Sequence, residues 1–357
     1  MYEIQTNELR CIYGDKIAFI FPSKILGGHE LMAVEIIKDF LMLGVSVNIF
    51  VEPNNKDLKK VVMGIDGISN IIDLPVNKRR LESFSAIFDP LYLKKIRYFL
   101  NENFSELNKE TIFLVQGDIE IGSSYVVAAH KENIKLISYI PFTHKKKKMK
   151  KSIWFFRDVI DFKIYNLVND YVTIYQDAVY DLMNYNPNSH VKIIRNKVRN
   201  LEKFKKMRRK ISKNKKIKIY IIGRVEFLQK GHDIFFNTIR KLSPQQLNRI
   251  ELNIIGDGPD FEKLKMILND FDNMSFKLHG WLKEPWIIAY DADLLIIPSN
   301  FEGVPLVMLE ALEMRIDIIA KKIDGMIDYL DSDQLYLEEE ELLYKISNYV
   351  EQYVGRA

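Results

Sequence analysis

Cysteine is almost absent from this chain: Cys11 is the single one in 357 residues. No internal disulfide can form, and the composition suits a reducing compartment. Long apolar runs are missing as well, and none approaches the ~18–20 residues that a membrane-spanning helix requires. The first residues lack the basic-then-apolar pattern of a signal peptide. These absences set the expectation of a cytoplasmic protein, soluble or peripheral on the inner face of the cell membrane. There is no internal repeat of short period, and no low-complexity segment apart from runs of lysine.

What is present supports ordinary globular cores. Hydrophobic residues make up 47% and aromatic residues 12% of the chain, and its length suffices for two domains. A net charge of +4 hides a strong asymmetry. Six lysines and no acid lie between Lys145 and Lys151, and ten basic residues and no acid between Lys203 and Lys218. The rest of the chain is net acidic, so positive charge is concentrated in two patches that point to a polyanionic surface as partner.

Short apolar runs alternate with helical patterns, the signature of parallel α/β units. The first half places strands at Lys16–Phe21, Val45–Val51, Thr111–Gln116, Lys135–Ile140 and Tyr171–Ile174. Helical patterns cover Glu30–Leu43, Tyr125–Lys131 and Ile153–Leu167. Beyond the second basic run the pattern restarts, with strands at Ile217–Ile222, Glu251–Ile255, Ser275–Leu278, Asp293–Ile297 and Ile316–Ala320. Two doubly wound units follow, expected at residues 1–200 and 201–357, facing each other across a cleft. Ligands of such sheets bind at the carboxyl ends of the strands.

The chemistry-bearing residues fall at those ends. Glu302 and Glu310 flank an apolar segment, with Gly303 and Pro305 setting a turn and the start of a helix. A helix entrance of this kind attracts phosphate through its free N–H groups. Gly223-Arg224 and Lys230-Gly231 put two cations at the end of an earlier strand, where they could neutralise a leaving diphosphate. Gly256-Asp257-Gly258-Pro259 reads as a tight turn between strand and helix. Taken singly, each element has a plain alternative: a Glu that reaches solvent from an amphipathic helix, surface charges at a turn, or glycines needed only for positive φ.

In order, these pieces resemble the retaining glycosyltransferases of family 4, which have the GT-B fold. The resemblance runs over about residues 217–330 and includes His279-Gly280, Asp293, Pro298-Ser299, Glu310-Ala311 and Asp324-Gly325. It implies that Arg224 and Lys230 hold the donor diphosphate beside Gly223 and Gly256, and that Glu302 faces the donor sugar. The backbone of Gly303, Val304, Pro305 and Leu306 would meet the phosphates, Glu310 the ribose, and Leu278 to Gly280 the base. In the first unit Gly27-Gly28 resembles the family's glycine-rich loop, and His144 the histidine that touches the donor sugar. Lys145 stands where relatives often have Asp, and Gln116-Gly117-Asp118 where they often have a histidine. The last helix of the family commonly crosses back to the first domain, and Glu338–Val354 has the pattern to do so.

The first basic cluster, Lys145, Lys146, Lys147, Lys148, Lys150 and Lys151, abuts Ile153, Trp154, Phe155 and Phe156. Cations beside aromatics suit an anionic membrane surface, and the expectation is that this segment serves a glycan or lipid-linked acceptor. The alternative is a solvated lysine loop ahead of a core helix. Asp291-Ala292-Asp293 has metal-binding spacing but leads into a buried strand, so no metal site and no cofactor is expected beyond the nucleotide-sugar co-substrate, a UDP-sugar by preference. The function implied is a retaining glycosyltransferase of bacterial cell-surface polysaccharide or lipopolysaccharide synthesis. Two rivals remain: a sugar-nucleotide epimerase of the same fold, and a polyanion-binding protein. Nucleic acid is not expected as a partner, for want of aromatic RNA-binding motifs.

Overall fold

The computed structural model describes residues 3–104, 110–208 and 216–355. It divides into two compact units, Met1–Lys197 and Val198–Ala357.

In the first unit seven strands form one parallel sheet: β1 (Lys16–Phe21), β2 (Ser46–Val51), β3 (Ile68–Asp73), β4 (Thr111–Val115), β5 (Leu136–Tyr139), β6 (Asp170–Thr173) and β7 (His190–Ile193). Their order is β3-β2-β1-β4-β5-β6-β7. The central strands are apolar on both faces because helices cover both sides of a parallel sheet, and in β1 every residue after Lys16 is buried. One face is filled by Phe19, Phe40 and Phe113, with the Phe19 and Phe113 rings stacked at 5.1 Å. The other face is packed by Ile20, Leu114, Tyr125 and Ile140. Chain order reverses between β1 and β4, so the loops that follow these two strands diverge and open a crevice at their carboxyl ends.

Six strands build the sheet of the second unit: β8 (Ile217–Ile222), β9 (Ile250–Ile255), β10 (Ser275–Leu278), β11 (Leu294–Ile297), β12 (Asp317–Lys321) and β13 (Leu335–Tyr336). Their order is β10-β9-β8-β11-β12-β13, again parallel, with the reversal between β8 and β11. The final helix, Glu339–Gly355, buries Leu342, Ile346 and Val350 in the core of this unit. Those residues are four apart and share one helix face. Tyr349 and Tyr353 donate hydrogen bonds to the Asp293 carbonyl and carboxylate at 2.9 and 3.0 Å. Its apolar stripe is thus used within the second unit.

Part of the second basic run is built into the second unit. Its first part is the helix Glu202–Arg208, which buries Phe204 and pairs Lys205 with Glu313. Arg208 donates to the carbonyls of Tyr290 and Ala292. Residues 209–215 of that run lie outside the described residues.

Candidate functional site

The loops after β8, β9 and β10 are held together by their own backbones. Gly223 N–H donates to Ile255 O at 2.9 Å, and Gly256 N–H to Gly280 O at 2.7 Å. The approach is so close that a Cβ on Gly256 would lie 1.8 Å from Gly223 O. At Gly231, where φ is +62°, a Cβ would lie 2.1 Å from Pro298 O. These glycines are therefore required sterically, because only without a Cβ can three strand ends and the Pro298 loop close around one point.

At that point stands an ionic cluster. Lys230 ends the short helix Phe227–Lys230 and pairs with Glu302, whose side chain is largely buried. Ser299 Oγ donates to the same carboxylate oxygen at 3.1 Å, and Glu302 N–H donates to Asp324 Oδ2 at 2.9 Å. Gly325 N–H reaches Gly303 O at 3.1 Å, tying the loop after β12 to the loop after β11. Arg224, by contrast, is 65% exposed in its side chain and lies 3.5 Å from Glu226. One cation is thus engaged at the base of the site and the other is extended at its rim.

The helix that follows runs from Leu306 to Glu313, with Pro305 as its N-cap in extended conformation. This corrects the expected start by one residue, since Pro305 precedes the helix instead of opening it. The entrance still presents first-turn N–H groups that have no partner within the helix. Glu310 lies on the same helix, buried, and its carboxylate is held from two sides. Trp286 Nε1, fully buried, donates to Oε2 at 2.6 Å, and Arg199 Nε lies 2.6 Å from Oε1. Neither partner follows from the sequence. The signal available there was only that a Glu amid apolar neighbours must find a donor. Beyond β10, His279 Nε2 is 2.9 Å from Asn253 Oδ1, and burial lowers the His279 pKa. Leu278 and Gly280 flank it, with the exposed Trp281 next in the chain.

In the first unit Gly27 caps the helix Gly28–Met42, and its N–H donates to Glu30 Oε2 at 2.7 Å. Glu30 is fully buried; burial raises its pKa, but the contacts with His29, Ser23 and Gly27 outweigh this and hold it below the usual carboxylate range. Gly117, after β4, lies against the His29 ring: a Cβ there would come within 2.8 Å of it. Gln116 is a structural link, accepting from Ser138 Oγ at 2.6 Å and donating to Ile121 O at 2.6 Å. His144 packs edge-on to Phe142 at 4.5 Å and lies 3.4 Å from Lys148 Nζ.

The first lysine cluster is not uniform. Lys145, Lys147, Lys148, Lys150 and Lys151 are exposed, but Lys146 is 1% exposed and points inward. Its ammonium group sits 2.6 Å from Asp118, 3.6 Å from Asp161 and 3.7 Å from Glu120. A buried lysine survives as a cation only where carboxylates surround it, and these neighbours overcome burial to hold its pKa up. Lys146 is therefore removed from the expected membrane set. Asp291 and Asp293 are also committed. Asp291 binds Lys218 and the Tyr220 hydroxyl, and Asp293 accepts from Lys218 N–H and Tyr353. A hollow of about 420 Å³, lined by Tyr13, Thr111, Leu136, Asp170 and His190, lies at the amino ends of β4 to β7, opposite the loops just described.

Residues 216–352 match the family described as Glycosyl transferases group 1. A lipopolysaccharide 1,6-galactosyltransferase of Escherichia coli K12 is 32% identical over 120 residues, which are 31% of this chain and 32% of that protein. An uncharacterized 41.2 kDa protein of the cps region of Klebsiella pneumoniae is 30% identical over 130 residues, 35% of this chain and 33% of that protein. The matched segments thus span about a third of these curated relatives. Among solved structures, Anabaena HepE in complex with UDP and glucose superposes with a TM-score of 0.69 at 15% identity, over 95% of this chain and 91% of that one. The two parallel-sheet units are those of the GT-B fold.

Proposed function

Taking as premise that the second unit is a group 1 glycosyl transferase domain, we propose that this chain moves a sugar from a nucleoside-diphosphate sugar to a glycan or lipid-linked acceptor. The donor is a UDP-sugar, the anomeric configuration is retained, and the product belongs to bacterial surface polysaccharide. The UDP complex of a structural neighbour and the lipopolysaccharide activity of a sequence relative support this choice. The observation that carries the reading is the Lys230–Glu302–Ser299 cluster at the reversal of the second sheet, one turn before a helix entrance.

In the reaction the bond between the anomeric carbon and the diphosphate oxygen breaks, and a bond from the acceptor oxygen forms. Negative charge grows on the departing diphosphate, and fixed cations and N–H groups lower the barrier where that charge appears. Glu302 holds Lys230 at the base of the site. A donor would share the pair: its phosphates draw on Lys230, while its sugar hydroxyls bond to Glu302. Arg224 swings in from the rim, Glu310 takes the ribose, and the Leu306 entrance takes the phosphates. His144 and the Gly27-Gly28 loop serve the donor sugar. Since these groups supply the charge, no metal is needed, and transfer persists in a chelator. The exposed lysines at 145–151 place the enzyme on the anionic inner face of the cell membrane.

Thermal stabilisation by a panel of nucleotide-sugars, followed by mass analysis of donor and acceptor, tests the proposal. Stabilisation by UDP-sugars and a glycosylated acceptor are expected. Conversion of the donor to its epimer without acceptor would replace this reading with the epimerase. Affinity for nucleic acid alone would replace it with the polyanion binder.

A further inference from the structure

The helix Trp154–Tyr165 turns much of its apolar surface outward. Its buried residues are Arg157, Asp161, Ile164 and Tyr165, while Phe155, Phe156 and Phe162 are 59%, 63% and 50% exposed. Ile153, Trp154 and Val159 are exposed with them. A surface helix of a soluble domain normally turns its apolar stripe inward. Here Arg157 and Asp161 are turned inward beside Ile164 and Tyr165, because partners wait for them. Arg157 pairs with Glu120, and Asp161 accepts from Ser83 Oγ at 2.7 Å and faces Lys146 at 3.6 Å.

The outward aromatics form one patch. Trp154 and Phe155 meet edge to face at 5.9 Å, and Phe155 and Phe156 at 5.8 Å. Ile153, at the N-cap, holds φ at +50°, an unfavourable value for a β-branched residue. The chain thus accepts local strain at the turn that aims this face outward. Around the patch stand the exposed Lys145, Lys147, Lys148, Lys150 and Lys151, with Lys147 Nζ 5.2 Å from the Trp154 ring centre. Contiguous apolar surface of this kind marks an interaction site, and the ring of cations selects an anionic occupant with an apolar interior. A helix of 12 residues is ~18 Å long, too short to cross a ~30 Å hydrocarbon layer.

We infer that the outer face of Trp154–Tyr165 inserts flat into the headgroup region of an anionic bilayer, with Phe155, Phe156 and Phe162 as the inserting side chains and the five exposed lysines on the lipid phosphates. The inference rests on the membrane reading above and is independent of the sugar chemistry. It assigns two components to binding: an electrostatic one that salt screens and an insertion one that salt leaves in place.

The test is co-sedimentation of the full chain with vesicles of phosphatidylcholine, with and without phosphatidylglycerol, at low and high salt. Wild type binds the anionic vesicles and keeps part of that binding at high salt. Phe155→Ser/Phe156→Ser/Phe162→Ser lowers affinity on the order of tenfold or more at both salt concentrations. Replacing the five lysines with Ser lowers it chiefly at low salt. Because every changed side chain is exposed, melting temperature should hold, and circular dichroism checks this. In a Trp281→Phe background, Trp154 fluorescence shifts to the blue on vesicle addition. Full binding by the triple-Ser variant overturns the inference and leaves the membrane reading standing. No binding by wild type overturns both. Self-association of wild type in sedimentation velocity that the triple-Ser variant abolishes, without vesicle binding, makes the face a contact between copies and also overturns it.

Discussion

Lys230 and Glu302 neutralise each other in the structure, and that pairing holds the lysine in place at the proposed phosphate site. It also separates the roles of the two cations. Lys230→Ala removes charge from the base of the site and leaves Glu302 buried without that cation, so it should impair both stability and turnover. Arg224→Ala touches only an exposed side chain. Turnover should drop ~10²–10³-fold with the melting curve unchanged, as for loss of one donor to a developing oxyanion. Steady-state rates with a calorimetric melt check both halves. At Glu310 the buried donor is Trp286. Trp286→Phe keeps most of the volume but deletes the hydrogen bond that orients the carboxylate. UDP affinity measured by calorimetry should fall roughly 3–10-fold, the worth of one ordinary hydrogen bond, because the loss acts on UDP only through the carboxylate. Unchanged affinity in both Trp286→Phe and Glu310→Gln would remove Glu310 from the ribose. Sequence reading located Glu302 and Glu310 because their spacing is local. It could not supply Trp286 or Arg199 as partners of Glu310, because tertiary folding alone brings those together.

Elements with strong apolar runs were legible, and those without were not. β1, β8 and β10 have the bounds that their residues suggested. β3, β7 and β13 went unread for physical reasons. β3 and β7 lie at sheet edges and mix polar with apolar residues, and β13 is only two residues long. The helix at 154–165 was legible as a helix, but which face would be buried was not, since Glu120, distant in sequence, and the inward turn of Lys146 decide it. Among the turns, Gly256 admits a sharp prediction. With a Cβ 1.8 Å from the Gly223 carbonyl, Gly256→Ala should destabilise the second unit by about 3 kcal/mol or more, read from denaturant unfolding. The helix Glu82–Phe88 carries another. Burial pushes its Glu82 carboxyl up to about 8. A carboxyl raised from 4.5 leaves stability intact below pH 4.5 and costs it progressively as pH rises through 8, because the unfolded chain ionises first. Glu82→Gln should therefore flatten the fall in melting temperature between those values and stabilise the protein at pH 8, by about 5 kcal/mol at most. A slope unchanged by Glu82→Gln would place the titration elsewhere.

At the scale of the whole chain, composition indicated two α/β units with basic charge in patches, and the structure divides after Lys197. Charge counting alone treated each patch as one object. The structure separates them by residue: Lys146 is an internal counter-ion, Lys205 and Arg208 hold the second unit together, and the remaining lysines at 145–151 face outward. Among the described residues no helix is long and apolar enough to cross a membrane. The central claim is the proposed sugar transfer. Its most direct test gives the purified chain a UDP-sugar with a labelled sugar, in chelator, together with glycan and lipid extracts of bacterial envelopes. The account predicts label covalently attached to an acceptor, release of UDP in equal amount, and loss of both with Arg224→Ala. Donor consumed at full rate without acceptor, or label transfer unaffected by Arg224→Ala, would contradict it.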